Sequence, residues 1–206
     1  MSENEFDESI ENTIISENEE TNIYTKNLLV IINTNSGKGD SEKTFFTQVL
    51  PYFEEHTNYK IEYCVSRYCN HVDYYISQNK DIINQYDSLI ILGGDGMFHL
   101  TLNSLIKNKV DIPLGIIPSG SGNGLVKSIF YERVRDEYTV FDCYNLIKEY
   151  RIKSIDTISV SSNTGNLTSF LAISWGIISD LDINTEFMRF LGNIRFDIGA
   201  VWNILR

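Results

Sequence analysis

Residues 88–105 read SLIILGGDGMFHLTLNSL, a short apolar strand that empties into Gly93, Gly94, Asp95 and Gly96 and then into a helix. Glycines on both sides of Asp95 leave no side chain to block a ligand, and they let the backbone approach a phosphate or take positive φ where a turn needs it. The helix expected over residues 97–108 would aim its N-terminal N–H groups at the same place, a natural seat for an anion. A carboxylate in that seat is repelled by phosphate unless it holds a metal ion or takes a proton from an attacking hydroxyl. The same residues also fit a plain strand-to-helix turn with Asp95 as its N-cap. This stretch by itself does not separate the two readings.

Working outward, residues 28–32 (LLVII) form a continuous apolar run of the kind found in buried parallel strands. The run ends in a small-residue loop, NTNSGKG at 33–39, ahead of a helix expected over 41–55. The loop superficially resembles a P-loop but lacks the G-x-x-x-x-G-K-[ST] spacing, so Lys38 does not inherit that motif's role. A polar turn and a second phosphate-facing loop both fit it. Residues 59–65 alternate apolar and polar, as suits a strand near a sheet edge, and 71–78 read as helical. His71 reads as a helix-start or hydrogen-bonding residue, because no second His or Cys stands at ligand spacing. A further apolar strand at 112–117 ends in PSGSGNG at 118–124. Three strands ending in Gly-rich loops predict an α/β fold, an open Rossmann-like parallel sheet over residues 27–150. A nucleotide site is expected outside the carboxyl ends of its strands.

After a helix expected over 141–150 the pattern changes. Strand-like runs at 154–161 and 167–174 flank NTGN at 163–166, a hairpin signal, so these two strands should be antiparallel. A β-rich second domain is therefore expected to begin near Arg151. A hairpin and one amphipathic helical run (Ile198, Val201, Trp202, Leu205) are too little to stand alone, so residues 151–206 read as the opening of that domain.

Composition narrows the function classes. The chain has 206 residues, 42% of them apolar, enough for a real core, and a formal net charge of -11 that argues against a nucleic-acid-binding surface. Residues 1–26 carry eight acids and one lysine, a net of -7, which leaves the remainder only mildly acidic. That segment is poor in apolar groups and lacks the basic start and apolar run of a signal peptide, so an acidic disordered tail is expected. Cys64, Cys69 and Cys143 are odd in number and without metal-type spacing, and read as free thiols of a reducing compartment. No apolar run approaches the length needed to cross a bilayer. The expectation is a soluble cytoplasmic protein without a resident metal cluster, whose membrane contact is peripheral.

Four segments in combination, IINTNSGKG (31–39), GGDGMFHLTLN (93–103), PSGSGN (118–123) and AISWGIISDLDINTEFMRFLGNIRF (172–196), resemble the lipid kinases of the diacylglycerol kinase type. The last segment makes the likeness strongest to sphingosine kinases, and the resemblance covers residues 28–206. It implies ATP-dependent phosphorylation of the primary hydroxyl of a sphingoid base, with Mg²⁺, and it implies that Asp95 is the general base. By the same resemblance Asn33, Ser36, Gly37, Lys38, Gly39, Ser66, Gly93, Gly94, Gly96, Gly120, Ser121, Gly122 and Asn123 line the nucleotide. Glu186 joins them, with Arg189 and Arg195 on the phosphates, while Asp182 and Ala172 bind the lipid head. From the residues alone the two arginines read as a solvated helix face. The chain departs from the pattern at Leu100, where these kinases usually carry Glu, and at Thr34, where they usually carry Pro. It also holds only the start of the β-sandwich that closes the lipid pocket in the family. A diacylglycerol-type kinase and a catalytically impaired nucleotide-binding relative are the alternatives. NAD kinases share Gly-Gly-Asp-Gly, but the SWGIISDLD segment argues against them.

Overall fold

The computed structural model describes residues 26–37, 39–68, 70–131, 138–163, 165–185, 188 and 194–205, with backbone alone at 177, 178, 182, 196 and 203–205. Four strands, β1 (Lys26–Asn33), β2 (Tyr59–Ser66), β3 (Ser88–Gly93) and β4 (Leu114–Pro118), form one parallel sheet in the order β2-β1-β3-β4. The continuous apolar runs take the centre. Every residue of β3 is buried, whereas β2, read from its alternation as an edge strand, occupies the edge and is mostly half-exposed. β4 starts two residues later than its apolar run suggests. Pro113 has no N–H for a ladder and contributes only its carbonyl, which accepts the Leu89 N–H at 2.9 Å.

Alternation along the strands divides the core between two faces. On one, Leu29, Ile31, Leu89 and Ile91 pack with residues of α3 (His71–Ile83), α4 (Asp95–Asn108) and α5 (Gly124–Tyr131). On the other, Leu28, Val30, Ile32, Ile90 and Leu92 pack with Phe45, Val49, Phe53 and Tyr144, the last from α6 (Val140–Lys148). The helix expected over 41–55 runs as α1 (Ser41–Thr44), a π-helical turn (Phe45–Val49) and α2 (Leu50–His56). The widened turn lies just before Pro51, which has no N–H to give the carbonyl one turn back. α3 runs past the expected end at 78 through a kink at Asn79, whose amide nitrogen donates to the Tyr75 carbonyl at 2.8 Å. His71 opens this helix as a hydrogen-bonding residue, its Nδ1 accepting the Arg67 N–H at 3.2 Å.

The hairpin is antiparallel, with β5 (Ile158–Ser162) and β6 (Gly165–Ser169) both shorter than their strand-like runs. Ser162 pairs with Gly165, so Gly165 and Asn166, read as turn residues, belong to β6. The hairpin lies against α4. α7 (Ile177–Asn184) and α8 (Ile194–Leu205) pack on each other through Gly199, where a Cβ would press on Thr185 and Leu181. Among the described residues no helix is long and apolar enough to cross a membrane.

Candidate active site

Parallel strands deliver their C-terminal loops to one sheet edge, and Asp95 sits there at the end of β3. The helix after it begins two residues earlier than expected: Gly94 (φ -108°, ψ -177°) is its N-cap and Asp95 its first residue. The reading of Asp95 as N-cap of its own helix is thereby corrected. Its carboxylate instead reaches across to α5, accepting the Gly124 N–H on Oδ2 at 2.8 Å and the Leu125 N–H on Oδ1 at 3.0 Å. These are first-turn donors that α5 cannot satisfy itself, so Asp95 caps a neighbouring helix with a charge that also suits its dipole. An ionised carboxylate has about four acceptor positions, which leaves two for an incoming hydroxyl.

The loops around Asp95 interlock through absent side chains. A Cβ on Gly120 would lie 2.8 Å from the Gly94 Cα, and one on Gly37, whose φ is +54°, would run into the Ser119 carbonyl oxygen. Asn123 closes the third loop, accepting the Gly120 N–H at 3.1 Å and donating to the Gly120 carbonyl at 2.8 Å. The Ser119 N–H donates to the Gly93 carbonyl at 3.0 Å, and the Ser41 hydroxyl reaches the Ser119 hydroxyl at 3.0 Å. In the first loop Asn33 accepts the Asn35 N–H on its side chain and the Ser36 N–H on its carbonyl, and Ser36 is buried. Thr34, standing where the family usually has Pro, ties this loop to the end of β2 by donating to the Ser66 carbonyl at 2.8 Å. Asn33, Ser36, Gly37, Gly39, Ser66, Gly93, Gly94, Gly96 and the 120–123 loop thus share the edge occupied by Asp95.

Two glycines do not answer to this packing. An added Cβ on Gly96 would meet nothing within 4 Å, one on Gly122 would meet only Asp95 Oδ2 at 3.6 Å, and neither residue has positive φ. Both flank the carboxylate and leave the backbone beside it open. Such bare backbone fits the close approach of a phosphate, which Gly37, Gly94 and Gly120 need not explain because internal contacts already require them.

The remaining expected residues are placed differently. Lys38, Glu186 and Arg189 lie outside the described residues, and so does the side chain of Asp182, which falls on α7. Ala172 is exposed just after β6, its carbonyl accepting the Ser169 hydroxyl. Arg195 is not on a solvated helix face: it is the second residue of α8 and buried. Leu100 is 57% exposed on α4, one turn beyond Gly96. Among the described residues no group of three His, Cys, Asp or Glu could hold a metal ion.

Sequence reasoning missed Tyr138, which hydrogen-bonds with Asn123, feels the charge of Asp95 and stacks on Phe130 with centroids 5.0 Å apart. Burial, then the nearby Cys143, pushes its phenol above the ordinary value, against a hydrogen bond from Asn123, and Asp95 pushes it the same way. It also missed Leu171, whose side chain occupies the space a Cβ on Gly124 would need. Neither carries a local signal, since both are brought in by tertiary contacts.

Known proteins share the fold that carries this site. A solved diacylglycerol kinase structure from Bacillus anthracis str. Sterne shares the fold, with a TM-score of 0.51 at 21% identity over 68% of this chain and 45% of that one. Sphingosine kinase 1 of Arabidopsis thaliana is 32% identical over 185 residues, 87% of this chain and 37% of the relative. Sphingosine kinase 1 of Mus musculus is 29% identical over 187 residues, 86% of this chain and 48% of the relative. The chain therefore spans less than half the length of these curated relatives. The family model for the diacylglycerol kinase catalytic domain matches residues 27–160, which hold all of the parallel sheet but Lys26 and all three Gly-rich loops, and the chain belongs to that family.

Proposed function

We propose that the sheet edge around Asp95 binds ATP and that the protein phosphorylates the primary hydroxyl of a sphingoid base. Asp95 accepts the hydroxyl proton as the lipid oxygen bonds to the γ-phosphorus, and the bond from that phosphorus to the bridging oxygen breaks to release ADP. The observation that carries this reading is the pair of open glycines, Gly96 and Gly122, beside a carboxylate already fixed by two N–H groups. Phosphoryl transfer needs positioning and charge stabilisation more than covalent chemistry, and a carboxylate oriented by α5 supplies the first. The backbone N–H groups opening α4, with the loops at 33–39 and 120–123, would cradle the phosphates. Mg²⁺ would supply charge neutralisation, and one carboxylate shared with nucleotide phosphates and water is an ordinary protein contribution to holding that ion. Lys38, Glu186, Arg189 and Arg195 would serve the nucleotide, and Asp182 and Ala172 the lipid head.

The sphingoid substrate rests on the names of the relatives, sphingosine kinases at 29% to 32% identity. A lipid substrate also suits the exposed apolar face of α8, where Ile198, Val201 and Trp202 are 45%, 57% and 69% exposed, a surface fit for peripheral contact with a bilayer. Free Cys64 and Cys143 are in keeping with a cytoplasmic setting. The test is transfer of label from γ-labelled ATP to sphingosine, with diacylglycerol as the competing acceptor. The wild type should label sphingosine, and Asp95→Asn should lower turnover by at least about 100-fold. Equal label in both proteins would remove Asp95 from the chemistry, and preference for diacylglycerol would overturn the substrate.

A further inference from the structure

Asn103 lies about 12 Å along α4 from Asp95 and belongs to none of the Gly-rich loops. Its side chain nevertheless has both N–H donors and its carbonyl oxygen in use. Nδ2 donates to the Thr168 carbonyl at 2.9 Å, Oδ1 accepts the Thr168 N–H at 2.8 Å, and Nδ2 also donates to the His99 carbonyl at 2.9 Å. The first two bonds reproduce, from a helix, the pair of bonds that a neighbouring strand would give to β6. The third, to the carbonyl one turn back, fixes the rotamer that makes them. Neither Asp nor Leu fits this role: Asp would set an oxygen against the Thr168 carbonyl, and Leu would offer nothing.

Beyond Thr168 the chain leads back to the carboxylate. Phe170 packs on Phe98 of α4 with ring centroids 4.7 Å apart, and Phe98 is buried. Leu171 then lies over Gly124, its Cδ2 only 2.8 Å from where a Cβ would stand. The N–H of that same Gly124 holds Asp95 Oδ2. Three contacts, Asn103 with Thr168, Phe98 with Phe170 and Leu171 with Gly124, thus fasten residues 168–171 along α4 and end on the donor that orients Asp95. A strand slipped by one residue would turn its side chains to the opposite face and lift Leu171 off Gly124.

The geometry points to Asn103 as a positioning residue: its amide sets the register of β6 on α4, so that Leu171 clamps the start of α5 and holds the Gly124 and Leu125 N–H groups on Asp95. What Asp95 then does rests on the proposed kinase reading, but the clamp itself can be tested without turnover. Amide hydrogen exchange of Asn103→Asp should show protection falling about tenfold or more at Thr168, Gly124 and Leu125, while Ile90 and Ile91 in β3 keep theirs. Unchanged protection at Gly124 and Leu125 would overturn the inference. If Ile90 and Ile91 also lose protection, Leu171→Ala decides, because it spares the Asn103 bonds. Faster exchange at Gly124 and Leu125 with Thr168 unaltered supports the clamp, and no change there refutes it. In the lipid kinase assay Asn103→Asp should lower kcat about tenfold while the KM for ATP stays within about twofold. An unaltered kcat overturns the positioning role. A wild type without turnover counts against the kinase reading, and the exchange comparison still decides the clamp.

Discussion

Gly96→Ala separates a glycine kept for packing from one kept for a ligand. Gly96 is the second residue of α4, its φ is ordinary, and an added methyl group would meet nothing within 4 Å. The folded protein therefore accepts alanine without strain, and the unfolded chain loses freedom that glycine would have had. In a helix interior the exchange is worth about 0.8–1.0 kcal/mol, and in a first turn about half of that, so the free protein should melt about 1–2 °C higher. Nucleotide binding should move the opposite way, because the methyl group projects where the phosphates would approach. A tenfold weaker complex is a loss of about 1.4 kcal/mol. At an ATP concentration about 100 times the wild-type Kd, bound nucleotide stabilises by about 2.7 kcal/mol, falling to about 1.4 kcal/mol after a tenfold loss. Thermal unfolding with and without ATP and Mg²⁺ reads both quantities in one experiment. The ATP-induced shift should be roughly halved while the ligand-free midpoint rises. An unchanged ATP-induced shift would refute the assignment of the open glycines to phosphate. Gly37→Ala supplies the contrast: with φ at +54° and the Ser119 carbonyl in the way, it should lower the ligand-free midpoint.

Three further predictions concern the same framework. Asp95→Asn keeps one acceptor for two N–H donors and Asp95→Ala keeps none, so stability in urea should fall by about 1 and 2 kcal/mol respectively; an asparagine variant as stable as the wild type would remove the capping role. The Asp73 carboxyl is held below its ordinary range by hydrogen bonds first from Lys107 and then from Ser104, so its contribution is present above the unfolded-state pKa and lost as pH falls through the lower folded-state value. Because the pair is half-exposed, Asp73→Asn should cost about 0.5 kcal/mol at pH 7 and progressively less toward pH 3 in urea titrations, and a pH-independent cost would contradict the linkage. Burial pushes the Cys143 thiol up to about 12, so iodoacetamide at pH 8 should leave it unlabelled in the native protein and modify it on unfolding, read by peptide mass.

The parallel sheet was legible because its central strands must be apolar on both faces, and residues 28–32 and 88–92 say so without help from distant contacts. The loops were legible for a related reason, since small residues at strand ends stand out against long side chains. What escaped detection depends on groups far apart in sequence. α5 opens at Gly124 just after Asn123, a good N-cap by type, but Asn123 turns its side chain back on Gly120 and the first N–H groups of the helix go to Asp95, 29 positions before Gly124. Those bonds exist only because β3 and β4 lie side by side, with Gly93 opposite Pro118. The Asn103 bonds span 65 positions and attach to backbone, which has no signature in sequence at all. β4 starts late because Pro113 withholds an N–H, while the helices deviate inside their runs, at the π-helical turn before Pro51 and at Asn79, whose side chain takes a backbone carbonyl.

Because Asp95 caps α5 and is also the proposed base, its own substitution is an ambiguous test of catalysis. As a cap it gives one acceptor position on each oxygen to α5, and as a base it would use a remaining position for the hydroxyl proton. The duties share one side chain but different lone pairs, so they do not compete in the folded protein. They do fail together on mutation: Asp95→Asn removes the base and also turns an amide NH₂ toward an N–H, loosening the start of α5. A lost activity in that variant could follow from either change. Gly96 and Asn103 lie on either side of this confusion, because one should affect ligand approach with the cap intact and the other should affect the cap with the carboxylate intact. If Gly96→Ala weakens ATP binding while Asn103→Asp lowers kcat at constant KM, the carboxylate acts both as an anchor for α5 and as a base, and the order of α5 sets how well it does the second.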